Sequence, residues 1–507
     1  MKQPAGILIV MAMLLVFVFS PLAAQESNVP DWPTEAWQTS TPEAQGIDSA
    51  KLAQALLTMR EQEIDIHSLM LVRNSEIVVD AYFYPYDGQT VHEVASVTKS
   101  VMTTLIGIAA DQGKLSLDDP MLSFFPDRTV ANGDAWKENI TVRHLASMSS
   151  GLDCTNERDE ATLREMRTGV DWVQFALDRE VRWEPGSHFV YCSPAIHLLS
   201  PILQQATGMT ALDFARQYLF EPLGIGDAIW LTDPQGYNRG SEGLYLHPHD
   251  MAKLGYLWLN NGVWEGEQVV SREWVESSVT PQIDVPGGGD DYGYGWWITR
   301  GDLYSYAADG RGGQRINMVP AWNLIVVATG GSFNWDGIVP LLLEALSDMD
   351  GPRPANPDGV AELEAAVRTV AQPPTPMVAA PLPETAKLIS GQTFLFEPNP
   401  TTIESLGLEF NDSGEATFHF TAGGNEMVSG PVALDGVYRL FPGSHNLPMG
   451  FRGHWANDQI FVLEYDTIAN NDHGVLRMRF EEAHVVVESL ETAHEGGVTV
   501  EGRLENP

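Results

Sequence analysis

Eight prolines fall between Gly351 and Pro383, and the patterning of the chain differs on the two sides of them. Proline fixes φ and removes a backbone donor, so residues 351–384 read as a Pro/Ala-rich linker around one short helical stretch. Before it, Leu69–Val72 and Ile77–Phe83 read as strands joined at Arg73-Asn74-Ser75-Glu76. A helix follows from Val97 through Ala110 and closes at Gly113. Helical segments then run to about residue 280. Strand-like runs come next, at Tyr292–Thr299, Tyr304–Ala308, Arg315–Val319 and Leu324–Thr329, ahead of a helix around Val339–Ser347. A sheet assembled from both ends of a segment implies a mixed α/β domain, expected over residues 30–350. After the prolines the pattern shortens to alternating runs at Thr393–Phe396, Thr417–Phe420, Ile460–Tyr465, Leu476–Phe480 and Val485–Leu490, punctuated by Gly, Asn and Asp. Many short strands with turn signals between them predict a small all-β barrel or sandwich over 385–507.

The first residues carry an address. Lys2 precedes an apolar run from Ile7 to Phe19, followed by Pro21-Leu22-Ala23-Ala24 and the polar Gln25-Glu26-Ser27. That order reads as a signal peptide over residues 1–24, since the run is shorter than the roughly 20 residues of a spanning helix. The mature chain is therefore expected to be exported, periplasmic or secreted, with no membrane span after cleavage. With 29 Lys plus Arg against 68 Asp plus Glu, the formal charge is −39, which repels phosphate backbones and anionic headgroups. That charge argues against nucleic acid and membrane-surface partners, and none is expected.

Neither a Gly-x-Ser-x-Gly elbow nor a His-Glu-x-x-His zinc helix occurs, which lowers the weight of those two hydrolase classes. Ser96-Val97-Thr98-Lys99 does occur, at the start of the predicted helix. Positions i and i+3 share a helix face, so the lysine amine lies beside the serine hydroxyl, at the end where the helix dipole is positive. A serine hydroxyl is a poor nucleophile until a base takes its proton, and a lysine whose pKa is lowered by burial can do that. Ser-x-x-Lys arises by chance on the order of once or twice in a chain this long, and then marks only an exposed turn. Here no other lysine has serine three residues before it, and no acidic residue lies between Ala95 and Ala110.

Further motifs follow in order: Thr141-Val142-Arg143-His144-Leu145 through Ser150-Gly151-Leu152, Pro185-Gly186 through Tyr191-Cys192-Ser193, Phe220-Glu221-Pro222-Leu223-Gly224, Asp250-Met251-Ala252-Lys253-Leu254-Gly255, Tyr294-Gly295-Trp296, and Gly310-Arg311-Gly312-Gly313-Gln314. With Ser96-x-x-Lys99 they resemble the serine hydrolases of the class C β-lactamase and penicillin-binding protein type, over about Asp48 to Ser347. That family includes esterases, D-aminopeptidases and 6-aminohexanoate-dimer hydrolases. The resemblance implies a β-lactamase/transpeptidase-like fold, an antiparallel sheet flanked by helices plus a helical subdomain. It implies Ser96 as the acylated nucleophile, Lys99 as the group that holds and activates it, and Tyr191 as general base and later acid. A tyrosine near pKa 10 can act as base at neutral pH only if a cation such as Lys99 stabilises its phenolate. Without the resemblance, Tyr191 reads as an interfacial aromatic with its hydroxyl in water. Substrate and oxyanion binding would fall to the Ser96 backbone N–H, Ser193, Gly312, Gly313 and Gln314, with a plain turn as the other reading of the glycines.

Two departures stand out. The asparagine of the family's Tyr-x-Asn is Ser193 here, a spelling similar to the 6-aminohexanoate-dimer hydrolase branch. No lysine lies between Lys253 and Lys387, so the family's Lys-Thr-Gly is replaced by Gly310-Arg311-Gly312, with Arg311 or Arg315 left to supply the charge. These changes favour an esterase or amidase over an efficient β-lactamase. The only cysteines, Cys154 and Cys192, lie beside two motifs that border one cleft in such a fold, which makes a disulfide between them plausible beside the alternative of two buried thiols.

His247-Pro248-His249-Asp250 reads as ordinary helix-start chemistry rather than a metal site, and no cofactor or metal is expected. His144 reads as a structural hydrogen-bonder, and Trp296 and Trp297 as acyl-pocket or core residues. The leading expectation is an exported serine hydrolase acting through an acyl-enzyme on a small ester, amide or lactam. The alternative is a penicillin-binding or sensor-like protein of the same fold with little turnover. Because every motif lies before Ser347, the C-terminal domain is expected to be dispensable for the chemistry.

Overall fold

The computed structural model describes residues 32–505, apart from 155–159, 288, 302, 348, 350, 412–413, 425–426 and 492–496. Residues 1–24, expected to be a signal peptide, lie outside the described residues.

The first domain is organised around a nine-stranded sheet. The hairpin Ile66–Arg73 and Glu76–Tyr82 turns at Asn74 and Ser75, both at positive φ. Its first strand pairs antiparallel with Leu324–Gly330, Met70 opposite Val327. The sheet continues through Arg315–Val319, Ser305–Asp309, Trp297–Thr299, Asp290–Tyr292 and Ile283–Asp284, and the short strand Gln38–Thr39 lies parallel on the other edge. It is thus built from both ends of the domain.

All of Ile66–Arg73 is buried, which requires cover on both faces. Leu69 and Leu71, with Val326 and Ala328, pack under helices Ser49–Glu61, Val339–Ala345 and Pro357–Val370. Met70, Val72, Ile325 and Val327 face the larger core, which holds Val97–Asp111, Leu199–Thr207 and Pro248–Leu259. Helix Val97–Asp111 is buried from Val97 to Ala109 and ends with Gly113 at φ 68°, the left-handed cap its sequence predicts.

Two expectations change. The run Tyr292–Thr299 is not one strand, because the chain breaks at Gly293–Trp296 and dips onto the buried helix. There Thr103 Oγ1 donates to the Tyr294 carbonyl at 2.9 Å and Ser100 Oγ to that of Gly295 at 2.6 Å. Gly295, at φ 80°, has no room for a Cβ, which would sit 2.4 Å from Thr103 Oγ1. The Pro-rich segment is also more than a linker. Its helical stretch runs for 14 residues, is capped by Asn356, and buries Leu363, Ala366 and Val370 against the first domain.

The C-terminal domain is a closed antiparallel barrel. Gln392–Phe396 pairs with Ile403–Phe410 on one side and with Val498–Leu504 on the other. A parallel contact of Ala433 with Arg452 joins Val428–Ala433 to Pro448–Asn457 and completes a ring of nine strands, with Arg439–Pro442 attached outside. Leu476, Met478 and Phe480 point inward with Phe394, Phe418 and Phe461, so the interior is filled by side chains. Between Ile460–Asp466 and His473–Glu481, the connection 467–472 leaves the barrel and enters the first domain. Ile468 and Ala469 bury against Tyr86, and Glu93 N donates to the Ala469 carbonyl at 2.8 Å. Residues from Trp32 onward form one compact unit.

Leu363→Ala should cost about 2–4 kcal/mol in urea-induced unfolding, the range for emptying a buried leucine site. A cost below about 0.5 kcal/mol, typical of an exposed linker position, would contradict the placement of this helix in the core.

Candidate active site

Strand His92–Glu93 enters the buried helix through Ala95, which is held at φ 46° although it is not glycine. A non-glycine residue in the left-handed region costs about 1 kcal/mol or more, and such turns concentrate where a side chain must be presented. The residue presented is Ser96, the one position of Val91–Ser100 that is not fully buried. One helical turn on, Lys99 is 1% exposed, and its Nζ donates to Ser96 Oγ at 2.7 Å and to the Ser241 carbonyl at 2.9 Å. The same amine lies 4.8 Å from the ring centre of Tyr191 and 4.0 Å from Glu160 Oε1. Burial pulls the Lys99 ammonium down to about 8, against the pull of the Glu160 carboxylate and with a smaller push from Arg167.

Tyr191 hydrogen-bonds Ser96 and stacks on Trp297, ring centres 6.0 Å apart. Loss of water and the Glu160 charge raise its pKa well above the ordinary value, and the Ser96 hydrogen bond offsets only part of that. This departs from the expected phenolate. Lys99 lies over the ring face, and a carboxylate that favours the protonated phenol stands beside it.

Glu160 had no signal of its own in the sequence. It accepts from Ser193 Oγ at 2.8 Å, so the serine of Tyr-x-Ser acts through this carboxylate. What could have located it is the disulfide between Cys154 and Cys192, which sets Cys154, six positions before Glu160 in the sequence, beside the residue that follows Tyr191.

The cavity in front of Ser96 has a volume of about 740 Å³. Its wall on the sheet side is Asp309, Gly310 and Arg311, not the expected Gly312, Gly313 and Gln314. A Cβ on Gly310 would lie 3.1 Å from Ser96 N and 2.6 Å from the Val94 carbonyl, so here glycine supplies room. Gln314 is fully buried and exchanges hydrogen bonds with Gly330, while Gly313 lies under Phe333 and accepts from Trp335 Nε1. Their polar groups are used inside the fold.

Of the two candidate arginines, Arg311 lines the cavity, whereas Arg315 pairs with Asp309 at 3.0 Å and stacks on Trp335. Trp297 lines the cavity, and Trp296 is core against Trp258. His144 Nδ1 accepts from Thr141 N at 3.2 Å in a helix cap. Pro248 opens a helix, and His249 lies 2.8 Å from Asp80. The expectation that the C-terminal domain stands apart from the chemistry does not hold, because its Tyr465, Asn470, Asp472 and His473 line the same cavity.

The beta-lactamase family model matches residues 53–339. Among curated relatives, the 6-aminohexanoate-dimer hydrolase of Paenarthrobacter ureafaciens is 25% identical over 296 residues, 54% of this chain and 74% of that protein. Esterase EstB of Burkholderia gladioli is 25% identical over 215 residues, 38% of this chain and 55% of its own. Among solved structures, the octameric penicillin-binding protein homologue from Pyrococcus abyssi is 19% identical with a TM-score of 0.51. The superposition covers 90% of this chain and all (100%) of that one, so the likeness in fold includes the barrel.

The disulfide closes a sequence separation of 38 residues, worth about 4 kcal/mol in the loop-closure model. Reduction, verified by thiol alkylation and mass spectrometry, should lower the thermal midpoint by several degrees. An unchanged midpoint in fully reduced protein would contradict the bridge's structural role.

Proposed function

Because the chain belongs to the beta-lactamase family, we propose that it is an exported serine hydrolase that cleaves small esters and amides through an acyl-enzyme on Ser96, with lactams poorer substrates. The observation that carries this reading is the 2.7 Å contact between Ser96 Oγ and the buried amine of Lys99. With its pKa near 8, a substantial fraction of Lys99 is neutral at physiological pH and able to take the serine proton. Ser96 Oγ then bonds to the substrate carbonyl carbon while the carbonyl electrons move onto oxygen. That oxyanion is met by the backbone N–H of Ser96 and that of Arg311, since the Gly310 N–H donates to the Gln314 carbonyl at 2.8 Å.

Tyr191, kept protonated, gives its proton to the departing alcohol or amine and regains one from the Lys99 ammonium. Water then attacks the acyl carbon while Lys99 accepts its proton, and as the bond from the acyl carbon to Ser96 Oγ breaks the Lys99 ammonium returns that proton to Oγ, which frees the acid and restores the serine. The loss of Lys-Thr-Gly supports ester and amide substrates over lactams, and the two relatives described above are named a dimer hydrolase and an esterase. The leader-like N-terminus and the disulfide support an oxidising destination.

Ser96→Ala should lower hydrolysis of a chromogenic short-chain ester by about a thousandfold or more and abolish fluorophosphonate labelling. Near wild-type turnover in that variant would remove the assignment. Since the neutral amine is the active form, kcat/KM should rise with pH through about 8 and level off above it. A profile flat from about pH 6 to about pH 10 would contradict Lys99 as the base.

A further inference from the structure

We infer that Asn471, carried by the C-terminal barrel, is a positioning residue of the active site that holds the two halves of the oxyanion-binding backbone in register. The inference rests on the reading of Ser96 as nucleophile. One half is the segment leading to Ser96, beginning with Glu93. The other is the Gly310–Arg311 turn, whose chain passes against Ser96 N.

Asn471 is 1% exposed and lies between them. Its Nδ2 donates to the Arg311 carbonyl at 3.2 Å and toward Glu93 Oε2 at 3.4 Å, and its Oδ1 accepts from the Arg311 guanidinium at 2.8 Å. A Cβ on Gly312 would fall 2.8 Å from that of Asn471, so the barrel connection and the turn are in direct contact. On the opposite side, Glu93 N donates to the Ala469 carbonyl at 2.8 Å, and Glu93 Oε1 accepts from Gly243 N at 3.1 Å.

An amide suits this place because it is neutral and offers donors and an acceptor together, between a buried carboxylate and an arginine. Without it, a buried carbonyl and a buried carboxylate each lose a donor. Asn471 is not part of the barrel's apolar core, so its loss leaves the interior that folds the barrel intact. Its contacts fix the distance across which Ser96 and Gly310 face each other, and a displacement of about 1 Å there costs on the order of a hundredfold in rate.

The test uses full-length wild type, Asn471→Ala and Asn471→Asp. Aspartate keeps the size and the acceptor but removes the donors and sets a second carboxylate beside Glu93. Active sites are counted by fluorophosphonate labelling and intact mass, and steady-state hydrolysis of a chromogenic ester is then measured per labelled site. The expected result is kcat lower by about tenfold or more in both variants, with KM within about threefold of wild type. Three results would overturn the inference: kcat per labelled site within about twofold of wild type, a rise in KM alone, or variants with no labelled sites, since the barrel must dock without this side chain. Wild type that does not label at Ser96 would instead bring down the nucleophile assignment on which the inference rests.

Discussion

An amine with no water around it is the constraint on which this site depends. Burying an ammonium costs several kcal/mol unless its protons find acceptors. For Lys99 the surrounding structure supplies Ser96 Oγ, the Ser241 carbonyl, the face of Tyr191 and the carboxylate of Glu160. Those groups come from four separate stretches of chain, so the pocket exists only once the sheet, the buried helix and the helical subdomain have assembled. The cost that remains appears as a depressed pKa, the property a general base needs near neutrality.

The second constraint is the closeness of the turn at Gly310 to Ser96, and it ties the barrel to the chemistry. A sheet strand cannot approach a helix start this closely unless the turn lacks a side chain and something holds it there. Gly310 meets the first condition, and the barrel connection through Asn471 meets the second. The same connection places Asp472 3.7 Å from Arg311 at the cavity wall, so the barrel also shapes the charge a substrate encounters. A barrel filled with apolar side chains thus contributes through one loop and the two strand ends that flank it rather than through its lumen.

Most of the fold was legible because its signals are local. The hairpin at Asn74-Ser75, the cap at Gly113 and the alternation of Leu476, Met478 and Phe480 each declare an element within a few residues. Ser96 and Lys99 were legible for the same reason, being one helical turn apart. What stayed hidden depends on distant packing. The run Tyr292–Thr299 looks like one strand because its break is set by hydroxyls of the buried helix, Ser100 and Thr103, about 190 residues away in sequence, at separations of 195 and 191. Glu160 and Asn471 carry no motif, and their roles follow from a disulfide and from a barrel loop docking on a strand. The glycine-rich stretch misled by one turn, since sequence identifies a flexible segment but not which of its residues faces the cavity.

The buried Lys99 amine, poised near neutrality, is directly observable because lysine is scarce in the chain. With only seven lysines in the sequence, NMR of protein carrying ¹³C at lysine Cε should give a resolvable titration, with Lys99 assigned by its absence from Lys99→Arg. Its resonance is expected to titrate near 8. A Lys99 signal that titrates at the ordinary value of about 10.4 would contradict it.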